Sequence, residues 1–366
     1  MIVSLYYYGN SPSISKVNES FSKKGKKFDG REKSAYNEHG DDMIREWRYY
    51  ISDTADPYKN LATEAYLLEH TPSDVCTLYL WKNQNTVVIG RNQNPWAECR
   101  CTLLEQEGGH LARRLSGGGT VYHDAGNLNF TFLCAEEDMD VARNMQVIAT
   151  ACRLAGINVT VSGRNDMLAD GRKFSGNAFY HAGGKAYHHG TLLINTDTER
   201  LGRYLTPPTA KLTAKGVKSV RARVVNLSEL MPDLTTDKMT DNMLAAAKEV
   251  FGLAGTPFGA FNEEEVACCA AEYGSWEYVY GAQPPFTVAC EGQFTWGHVE
   301  VRLSVQKGIV GDVQTYTDAM DWTLSERVQT ALIGCRFDID EMTAALRAKL
   351  PAQTADDLIS LLKQIV

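Results

Sequence analysis

Two arginines followed by three glycines form the part of this chain whose residue types are best suited to chemistry. In the segment 111–133, LARRLSGGGTVYHDAGNLNFTFL, Arg113 and Arg114 stand just ahead of Gly117–Gly119. Glycines let backbone N–H groups approach an anion closely, and guanidinium groups bind phosphate or carboxylate oxygens in pairs. Residues 127–132 then alternate between polar and apolar, as a half-buried strand does. The segment therefore predicts an anion-binding loop at a sheet edge, with an ordinary hairpin turn as the alternative.

A second segment, GRNDMLADGRKFSGNAF over residues 163–179, places a lysine where a ligand can approach. Asp170-Gly171 predicts the tight turn of a hairpin, and Lys173 opens the return strand toward Gly176. An ammonium group can contact an α-phosphate and an acyl oxygen together through its three donors. We expect Asp166 to hold a divalent cation or to orient Lys173. A surface lysine on a hairpin is the alternative interpretation.

Two further segments carry polar residues whose roles stay open at this point. His188 and His189 are adjacent on a predicted strand and so point to opposite faces, and we do not interpret them as zinc ligands. The basic segment 211–227 either covers a bound anion as a loop or connects two elements in solvent. The sequence lacks a P-loop motif, a GxGxxG turn that opens a helix, and a GxSxG elbow, which argues against those classes of site.

Composition and charge limit the class of protein. The chain has 366 residues, a length that predicts a large domain with a smaller one beside it. Of these residues 44% are hydrophobic and 22% charged, which is ordinary for a soluble protein with a sizeable core. Its net charge of −8 argues against general binding to nucleic acid or anionic membranes. No apolar run approaches the roughly 20 residues that span a bilayer, and no secretory leader is recognisable. The nine cysteines show no metal-ligand spacing and indicate free thiols in a reducing cytoplasm.

The apolar patterning divides the chain into four parts. Residues 1–42 are rich in Ser, Lys, Asn and Gly and are predicted to be a disordered extension, with Met43 as a candidate start. A large α+β domain is predicted over 43–282, with a helical pattern from about 235 to 275. A Gly- and Pro-containing linker over 283–289 precedes a small α+β domain at 290–366, in which residues 299–305 alternate as a strand.

Taken together, the motifs resemble those of the lipoate–protein ligase A family. RRLSGGGTVYHD, GRNDML, DGRKFSG, HHGTLL and KLTAKGVKSVRARVVNL occur in the family's order and at similar spacing. The likeness covers about residues 45–335 and includes TVVIGRNQNPWAEC and FTWGHVEV. It implies a biotin/lipoate ligase fold, related to class II aminoacyl-tRNA synthetases, with a small C-terminal domain. It also implies two half-reactions, in which lipoate and MgATP give lipoyl-AMP, and a lysine of a lipoyl carrier domain then takes the lipoyl group.

The same resemblance implies roles for individual residues. Lys173 is expected to be catalytic, because it matches the family lysine that contacts both the lipoyl carbonyl and the α-phosphate. The expected ATP contacts are Arg114, Gly119, Thr120, Val121, Tyr122 and Lys173. The expected lipoate contacts are Gly117, Gly118, His189 and Lys173, with Asp166 on the magnesium side. One departure is that Tyr180 stands where relatives often carry a cation, and Lys185 is our candidate for a compensating contact.

The resemblance implies ATP with Mg²⁺ and lipoate as substrates, and no tightly bound prosthetic group. The implied partners are the lipoyl domains of 2-oxoacid dehydrogenase E2 subunits and the glycine cleavage H protein. We expect a cytoplasmic monomer that binds neither nucleic acid nor membrane. One alternative is a lipoyl or octanoyl transferase of the same fold, which uses a thioester on Cys134 or Cys152 or accepts preformed lipoyl-AMP. The other is a non-catalytic lipoate or nucleotide sensor, against which the presence of Lys173, Asp166 and the glycine loop argues.

Overall fold

The computed structural model describes residues 44–91, 93–162, 166–205, 224–259, 261–281, 286–317, 319, 321 and 323–366. The predicted extension 1–42, most of the basic segment 211–227 and part of the predicted linker 283–289 lie outside the described residues. The strands are β1 Glu46–Ile51, β2 Val75–Trp81, β3 Thr86–Ile89, β4 His110–Arg113, β5 Val121–His123, β6 Asn127–Ala135, β7 Val159–Ser162, β8 Asp166–Ala169, β9 Arg172–Ala182, β10 Lys185–Leu193, β11 Thr256–Pro257, β12 Phe286–Phe294, β13 Gly297–Gln306 and β14 Ile309–Thr317. The helices are α1 Pro57–His70, α2 Pro95–Glu98, α3 Cys101–Gln106, α4 Val141–Leu154, α5 Thr198–Tyr204, α6 Leu227–Leu230, α7 Thr236–Phe251, α8 Glu263–Tyr273, α9 Trp276–Val279, α10 Leu324–Leu332, α11 Ile339–Lys349 and α12 Ala352–Leu362.

One eight-stranded mixed sheet organises the larger part of the chain. The spatial order of its strands is β11-β1-β2-β6-β10-β9-β8-β7. β1 pairs in parallel with β2 and β11, and every other pair in this sheet is antiparallel. All nine residues of β6 are buried, which places this strand in the middle of the apolar core.

Helices cover both faces of the large sheet, because side chains along its strands alternate between two cores. The face that carries Phe130 and Phe132 packs against α4 and α7. The opposite face, which carries Trp81, Leu133 and Tyr187, packs against α1 and α8. We call this second surface the α1 face, after the helix that packs on it, and the candidate site lies on this side of the sheet.

A three-stranded sheet of order β4-β3-β5 holds the predicted anion-binding loop. β3 pairs in parallel with β4 and antiparallel with β5. β4 and β5 therefore run in opposite directions, and the loop that joins them lies at one end of the sheet. Val88 and Ala112 of this sheet share a core with Trp81 and Leu133 of the large sheet. This shared core fixes the loop beside the α1 face.

The C-terminal elements form a separate apolar core. Strands β12, β13 and β14 make an antiparallel meander that packs against α10, α11 and α12. The predicted alternation over 299–305 is confirmed, because Val301, Leu303 and Val305 are all buried in this core. β12 begins at Phe286, so residues 286–289 of the predicted linker belong to a strand. Among the helices of the described residues, none combines the length and the apolar character that crossing a membrane requires.

Candidate active site

The glycine segment between β4 and β5 is a tight loop that contacts the large sheet. Gly118 has φ +92, a left-handed conformation that a side chain would strain. A Cβ built on Gly118 would lie 3.0 Å from Nη2 of Arg114 and 3.8 Å from Cβ of Ala178 on β9. The loop therefore lies directly between the Arg114 guanidinium and strand β9.

Arg114 holds this loop through main-chain carbonyl groups. Its Nη2 donates to the carbonyl oxygens of Gly117 at 2.8 Å and Gly119 at 2.7 Å, and its Nη1 donates to that of Val88 at 3.1 Å. Its Nε donates to Ser116 Oγ at 3.0 Å. Burial lowers the pKa of Arg114 to about 10, so the guanidinium stays charged at neutral pH. A fixed positive charge therefore lies against the loop that the sequence predicts to bind an anion.

Arg113 lies in a different environment, although it directly precedes Arg114 as the last residue of β4. Its Nη1 donates to the carbonyl oxygens of Arg91 at 2.9 Å and Gln93 at 2.8 Å. Its Nη2 donates to that of Val279 in α9 at 2.6 Å. The prediction that the two arginines act as a pair on one anion is therefore wrong for Arg113, whose donors are satisfied by the main chain. Adjacent strand residues point to opposite faces, which explains the difference.

A buried chain of hydrogen bonds connects the glycine loop to helix α1. Ser116 Oγ lies 2.7 Å from Nε2 of His189, and Nδ1 of His189 lies 2.9 Å from Oε1 of Glu64. Thr131 Oγ1 donates to the same Glu64 oxygen at 2.7 Å. All four side chains are buried. A buried carboxylate without hydrogen-bond partners would lower the stability of the fold, so Glu64 keeps its partners in place. These bonds therefore fix the positions of Ser116 and His189.

Lys173 and Asp166 form an ion pair on the β8–β9 hairpin. Nζ of Lys173 lies 2.7 Å from Oδ1 of Asp166, and the two side chains are 40% and 45% exposed. The register of the hairpin passes from Ser175 opposite Met167 to Lys173 opposite Leu168, a β-bulge next to the lysine. Bulges re-aim side chains and occur often beside active sites. The sequence predicts that Asp166 either holds a divalent cation or orients Lys173. The ion pair agrees with the second of these roles.

Gly176 lets the lysine lie flat against its own strand. A Cβ at this position would stand 3.1 Å from Nζ and 3.2 Å from Cε of Lys173. The glycine loop approaches the same strand at Ala178, two residues further along, where a Cβ on Gly118 would lie 3.8 Å from that of the alanine. The structure thus brings the two predicted segments, the glycine loop and the lysine hairpin, to one stretch of β9.

The remaining predicted nucleotide contacts lie at the start of β5. Thr120 Oγ1 donates to Oε1 of Gln93 at 3.0 Å, and Val121 is half-buried. The Tyr122 hydroxyl donates to Oδ1 of Asn85 at 3.0 Å, and burial raises its pKa to about 12. The side chain of Tyr122 packs in the core on the far side of the small sheet. Only its backbone remains for the nucleotide contact that the sequence predicts.

Lys185 does not reach the site. Its Nζ donates to the carbonyl oxygen of Thr71, at the end of α1, so it does not supply the compensating charge predicted for it. Tyr180, the departure from the family pattern, stacks on Tyr187 with ring centroids 5.2 Å apart. It therefore extends the aromatic surface of the α1 face.

Sequence reasoning missed Glu64, Ser116, Gln93 and Thr131, which shape the site. For Glu64 a signal was present, because it lies three residues after Leu61 and four before Leu68, on the apolar side of α1. A charged residue on such a stripe predicts a buried polar contact. Ser116 and Gln93 carried no comparable pattern.

Comparison with known proteins shows the family to which the chain belongs. Residues 56–248 match the family model of the lipoyl protein ligase A/B catalytic domain, and residues 283–362 match that of the bacterial lipoate protein ligase C-terminus. The fold and the site therefore define a lipoyl protein ligase with both domains. The chain belongs to the lipoate–protein ligase A family and is an enzyme of the ligase class. The predicted α+β fold, a ligase domain with a small C-terminal domain, is confirmed.

Three relatives illustrate the similarity. Lipoate-protein ligase A of Psychrobacter cryohalolentis is 39% identical over 309 residues, which cover 81% of this chain and 91% of the relative. The structure of P. falciparum LipL1 in complex with lipoate is 26% identical, with a TM-score of 0.57 and coverage of 87% of this chain and 99% of that one. The structure of the bipartite lipoate protein ligase and its E2 lipoyl domain from Thermoplasma acidophilum is 25% identical, with a TM-score of 0.58 and coverage of 65% and 97%.

Proposed function

We propose that this enzyme is an ATP-dependent lipoate–protein ligase, which activates free lipoate as lipoyl-AMP and transfers the lipoyl group to a lysine of a lipoyl carrier domain. The observation that carries the proposal is the meeting of the glycine loop and Lys173 on one stretch of β9. Such a site can neutralise a nucleotide phosphate and an acyl oxygen at the same time.

In the first half-reaction, a lipoate carboxylate oxygen attacks the α-phosphorus of ATP, and the bond to pyrophosphate breaks. Both reactants are anions and repel each other, so the site must supply positive charge. Lys173 provides it beside the reacting atoms, and Asp166 occupies one of its three donors and leaves the others for substrate oxygens. The loop of Gly117, Gly118 and Gly119, with the Arg114 charge behind it, contributes fixed dipoles at the phosphates.

In the second half-reaction, the acceptor lysine amine attacks the lipoyl carbonyl carbon. An amide bond forms, the bond to AMP breaks, and the amine loses a proton. Negative charge develops on the carbonyl oxygen and on the departing phosphate. Lys173 stabilises both, so its loss lowers turnover more than substrate affinity.

The lipoyl chain lies along the α1 face, between the large sheet and helix α1. Support for this placement comes from the apolar and aromatic character of the side chains on this face, which form one closed core that has to open to admit the chain. They include Leu61, Tyr79, Trp81, Leu133 and Tyr187. His189 stands beside the glycine loop at the polar end of this lining and is our proposed lipoate contact.

Magnesium enters as part of the substrate MgATP. The residues fit this use, because Asp166 offers a half-exposed carboxylate, and Mg²⁺ in such sites is held by one or two carboxylates together with phosphates and water. Among the described residues no group of three His, Cys, Asp or Glu side chains is arranged to hold a metal ion. When bound, the ion neutralises phosphate charge.

The acceptors we propose are the lipoyl domains of 2-oxoacid dehydrogenase E2 subunits and the glycine cleavage H protein, in a route that salvages free lipoate. The relative from T. acidophilum belongs to a lipoylation system that includes its E2 lipoyl domain, which supports the first of these. We further propose a monomer without a prosthetic group that works in the reducing cytoplasm, where the nine cysteines remain free thiols.

A cysteine-dependent acyl transferase of the same fold is disfavoured by the position of its candidate nucleophiles. Cys134 and Cys152 are buried in the core on the α4 side of the sheet, opposite the α1 face. Burial raises the pKa of each thiol to about 12, whereas a nucleophilic cysteine needs its thiolate near neutral pH.

The proposal is tested with purified protein and an apo lipoyl domain. We expect MgATP and lipoate together to release pyrophosphate and to raise the mass of the lipoyl domain by one lipoyl group. A mass increase only when lipoyl-AMP is supplied would identify a transferase without the activation step. Lipoate binding without either product would identify a sensor.

A further inference from the structure

A chain of buried amide groups controls the protonation of His123, at the end of β5. Nδ2 of Asn60 donates to the carbonyl oxygen of Lys82 at 2.8 Å, which fixes the orientation of this amide. The same nitrogen donates to Oδ1 of Asn83 at 2.9 Å. Nδ2 of Asn83 therefore faces Nδ1 of His123, at 3.2 Å. The three side chains are all buried.

This arrangement selects one tautomer of the His123 ring. An amide nitrogen only donates, so Nδ1 of His123 must accept and the ring proton must sit on Nε2. Burial is the main cause that lowers the pKa of His123 to about 3, and the ring is therefore neutral at physiological pH. His123 presents a neutral Nε2–H donor.

That donor has no hydrogen-bond partner within the described part of the chain. Nε2 of His123 is buried and unbonded, whereas its Nδ1 is bonded. Buried donors in folded proteins nearly always have an acceptor, because an unpaired one loses its hydration without compensation. The unpaired N–H thus points to an acceptor that binds from outside the chain.

Strand register gives the spacing between the strand that carries Lys173 and the His123 ring. The backbone N–H of Gly176, beside Lys173, donates to Thr191 Oγ1 at 3.4 Å, and Thr191 pairs with Asn129 on β6. Two steps between neighbouring strands span about 10 Å. Nδ2 of Asn129 lies 3.5 Å from Nδ1 of His123. An extended eight-carbon chain, with bonds of about 1.5 Å, covers a similar distance.

The environment of the donor is aromatic. The His123 ring meets the Trp81 ring edge-on, with centroids 5.9 Å apart. Trp81 pairs with Asn129 in the sheet register and belongs to the apolar core of the α1 face. The far end of the proposed acyl position therefore combines the Trp81 ring with the polar side chains of His123 and Asn129.

We propose that the Nε2–H group of His123 is a specificity-determining donor, which hydrogen-bonds a sulfur atom of the dithiolane ring and favours lipoate over octanoate. This inference rests on the proposed function and refines its substrate. Both acids have eight carbons, but octanoate ends in C–H groups that cannot accept. Sulfur is a weak acceptor, so the expected preference from this contact is about fivefold.

The test compares kcat/KM for lipoate and for octanoate in three variants. His123→Phe keeps a planar ring without the donor, and we expect the lipoate preference to fall about fivefold. His123→Gln restores an N–H donor and is expected to retain most of the preference. His181→Phe is the matched control, because His181 is an exposed histidine on β9. In this variant the ratio of kcat/KM for lipoate to that for octanoate should not change.

A second arm tests the tautomer without changing His123. Asn83→Asp replaces the donor that faces Nδ1 with an acceptor, so the proton should move to Nδ1 and the lipoate preference should fall. Nitrogen-15 NMR of labelled histidine reads the position of the proton directly, and we expect Nε2 protonated in the wild type. A wild-type His123 protonated on Nδ1, or an unchanged ratio in folded His123→Phe protein, would overturn the inference. If the wild type ligates neither acid, the proposed function itself has failed.

Discussion

Arg114 donates through Nη2 to the carbonyl oxygen of Gly119, 2.7 Å away, so a buried charged side chain holds the glycine loop in its folded shape. The glycine loop and the positive charge behind it therefore form one unit. The sequence predicts a guanidinium that reaches out to phosphate, whereas in the structure its four hydrogen bonds are made to the protein.

Replacing Arg114 with lysine is expected to impair ATP use more than folding. A lysine keeps the charge but cannot donate to separated carbonyls in the fixed geometry of a guanidinium. We expect KM for ATP to rise about tenfold, while KM for lipoate changes less. Steady-state pyrophosphate release measures both constants. Arg172→Lys, at an exposed ion pair with Glu229, is the control, and equal effects of the two variants would contradict this prediction.

Arg113→Lys is expected mainly to lower the stability of the fold. The guanidinium of Arg113 is almost fully buried and joins Gly90, Arg91 and Gln93 to Tyr278 and Val279 through carbonyl contacts. Bonds from a charged donor of this kind are worth about 1.5–3 kcal/mol each, and lysine can keep only some of them. We expect the free energy of unfolding in urea to fall by about 3 kcal/mol. An unchanged urea midpoint would show that the contacts are not stabilising.

Glu64→Gln tests the buried chain that links α1 to the glycine loop. The Glu64 carboxylate accepts from Thr131 and lies within hydrogen-bond distance of His189, and a neutral amide cannot serve both as well. We expect a loss of about 2 kcal/mol in stability. A double-mutant cycle with His189→Asn should give strongly non-additive losses. Additive losses would mean that Glu64 and His189 do not act together.

Two neutral histidines should make the enzyme less stable in mild acid. Burial lowers the pKa of both His123 and His188 to about 3, from an unfolded value of 6.5. Below pH 6.5 the unfolded chain binds these protons and the folded chain does not, so stability falls as pH decreases toward 3. Each group adds a slope of up to about 1.4 kcal/mol per pH unit.

Urea unfolding between pH 6.5 and 4.5 measures this dependence. Carboxylates also titrate near its lower end, so the informative quantity is the difference between the wild type and His188→Gln. We expect that variant to lose the contribution of one proton from the slope. An identical slope in both proteins would mean that His188 binds its proton equally well in the folded state.

The local parts of the site could be predicted from the sequence, because their signals lie within a few residues of each other. The Asp170-Gly171 turn places Lys173 at the start of β9, and the alternation after the glycine loop becomes strand β6. The alternation predicts a half-buried strand, but all nine residues of β6 are buried, because both faces of the sheet are covered. The helical pattern from about 235 to 275 corresponds to two helices, α7 and α8, and not to one. α7 ends at Phe251, the following Gly252 takes the left-handed conformation, and a short strand precedes α8.

The parts that could not be predicted depend on contacts between distant residues. Arg113 finds its partner Val279 166 positions away, and His189 meets Glu64 125 positions away. Neither contact leaves a periodic pattern in the sequence. Only the buried position of Glu64 on an amphipathic helix gave a signal, and it did not indicate which residue would be the partner.

The measurement that tests the central claim most directly is lipoate-dependent pyrophosphate release by Lys173→Ala at saturating MgATP. Lys59→Ala is the matched control, since Lys59 is 39% exposed and also ion-paired, with Glu263. We predict that kcat falls by a factor of about 100 or more in Lys173→Ala, with KM for ATP nearly unchanged, and that the control retains full activity. A folded Lys173→Ala enzyme with wild-type kcat would contradict the account.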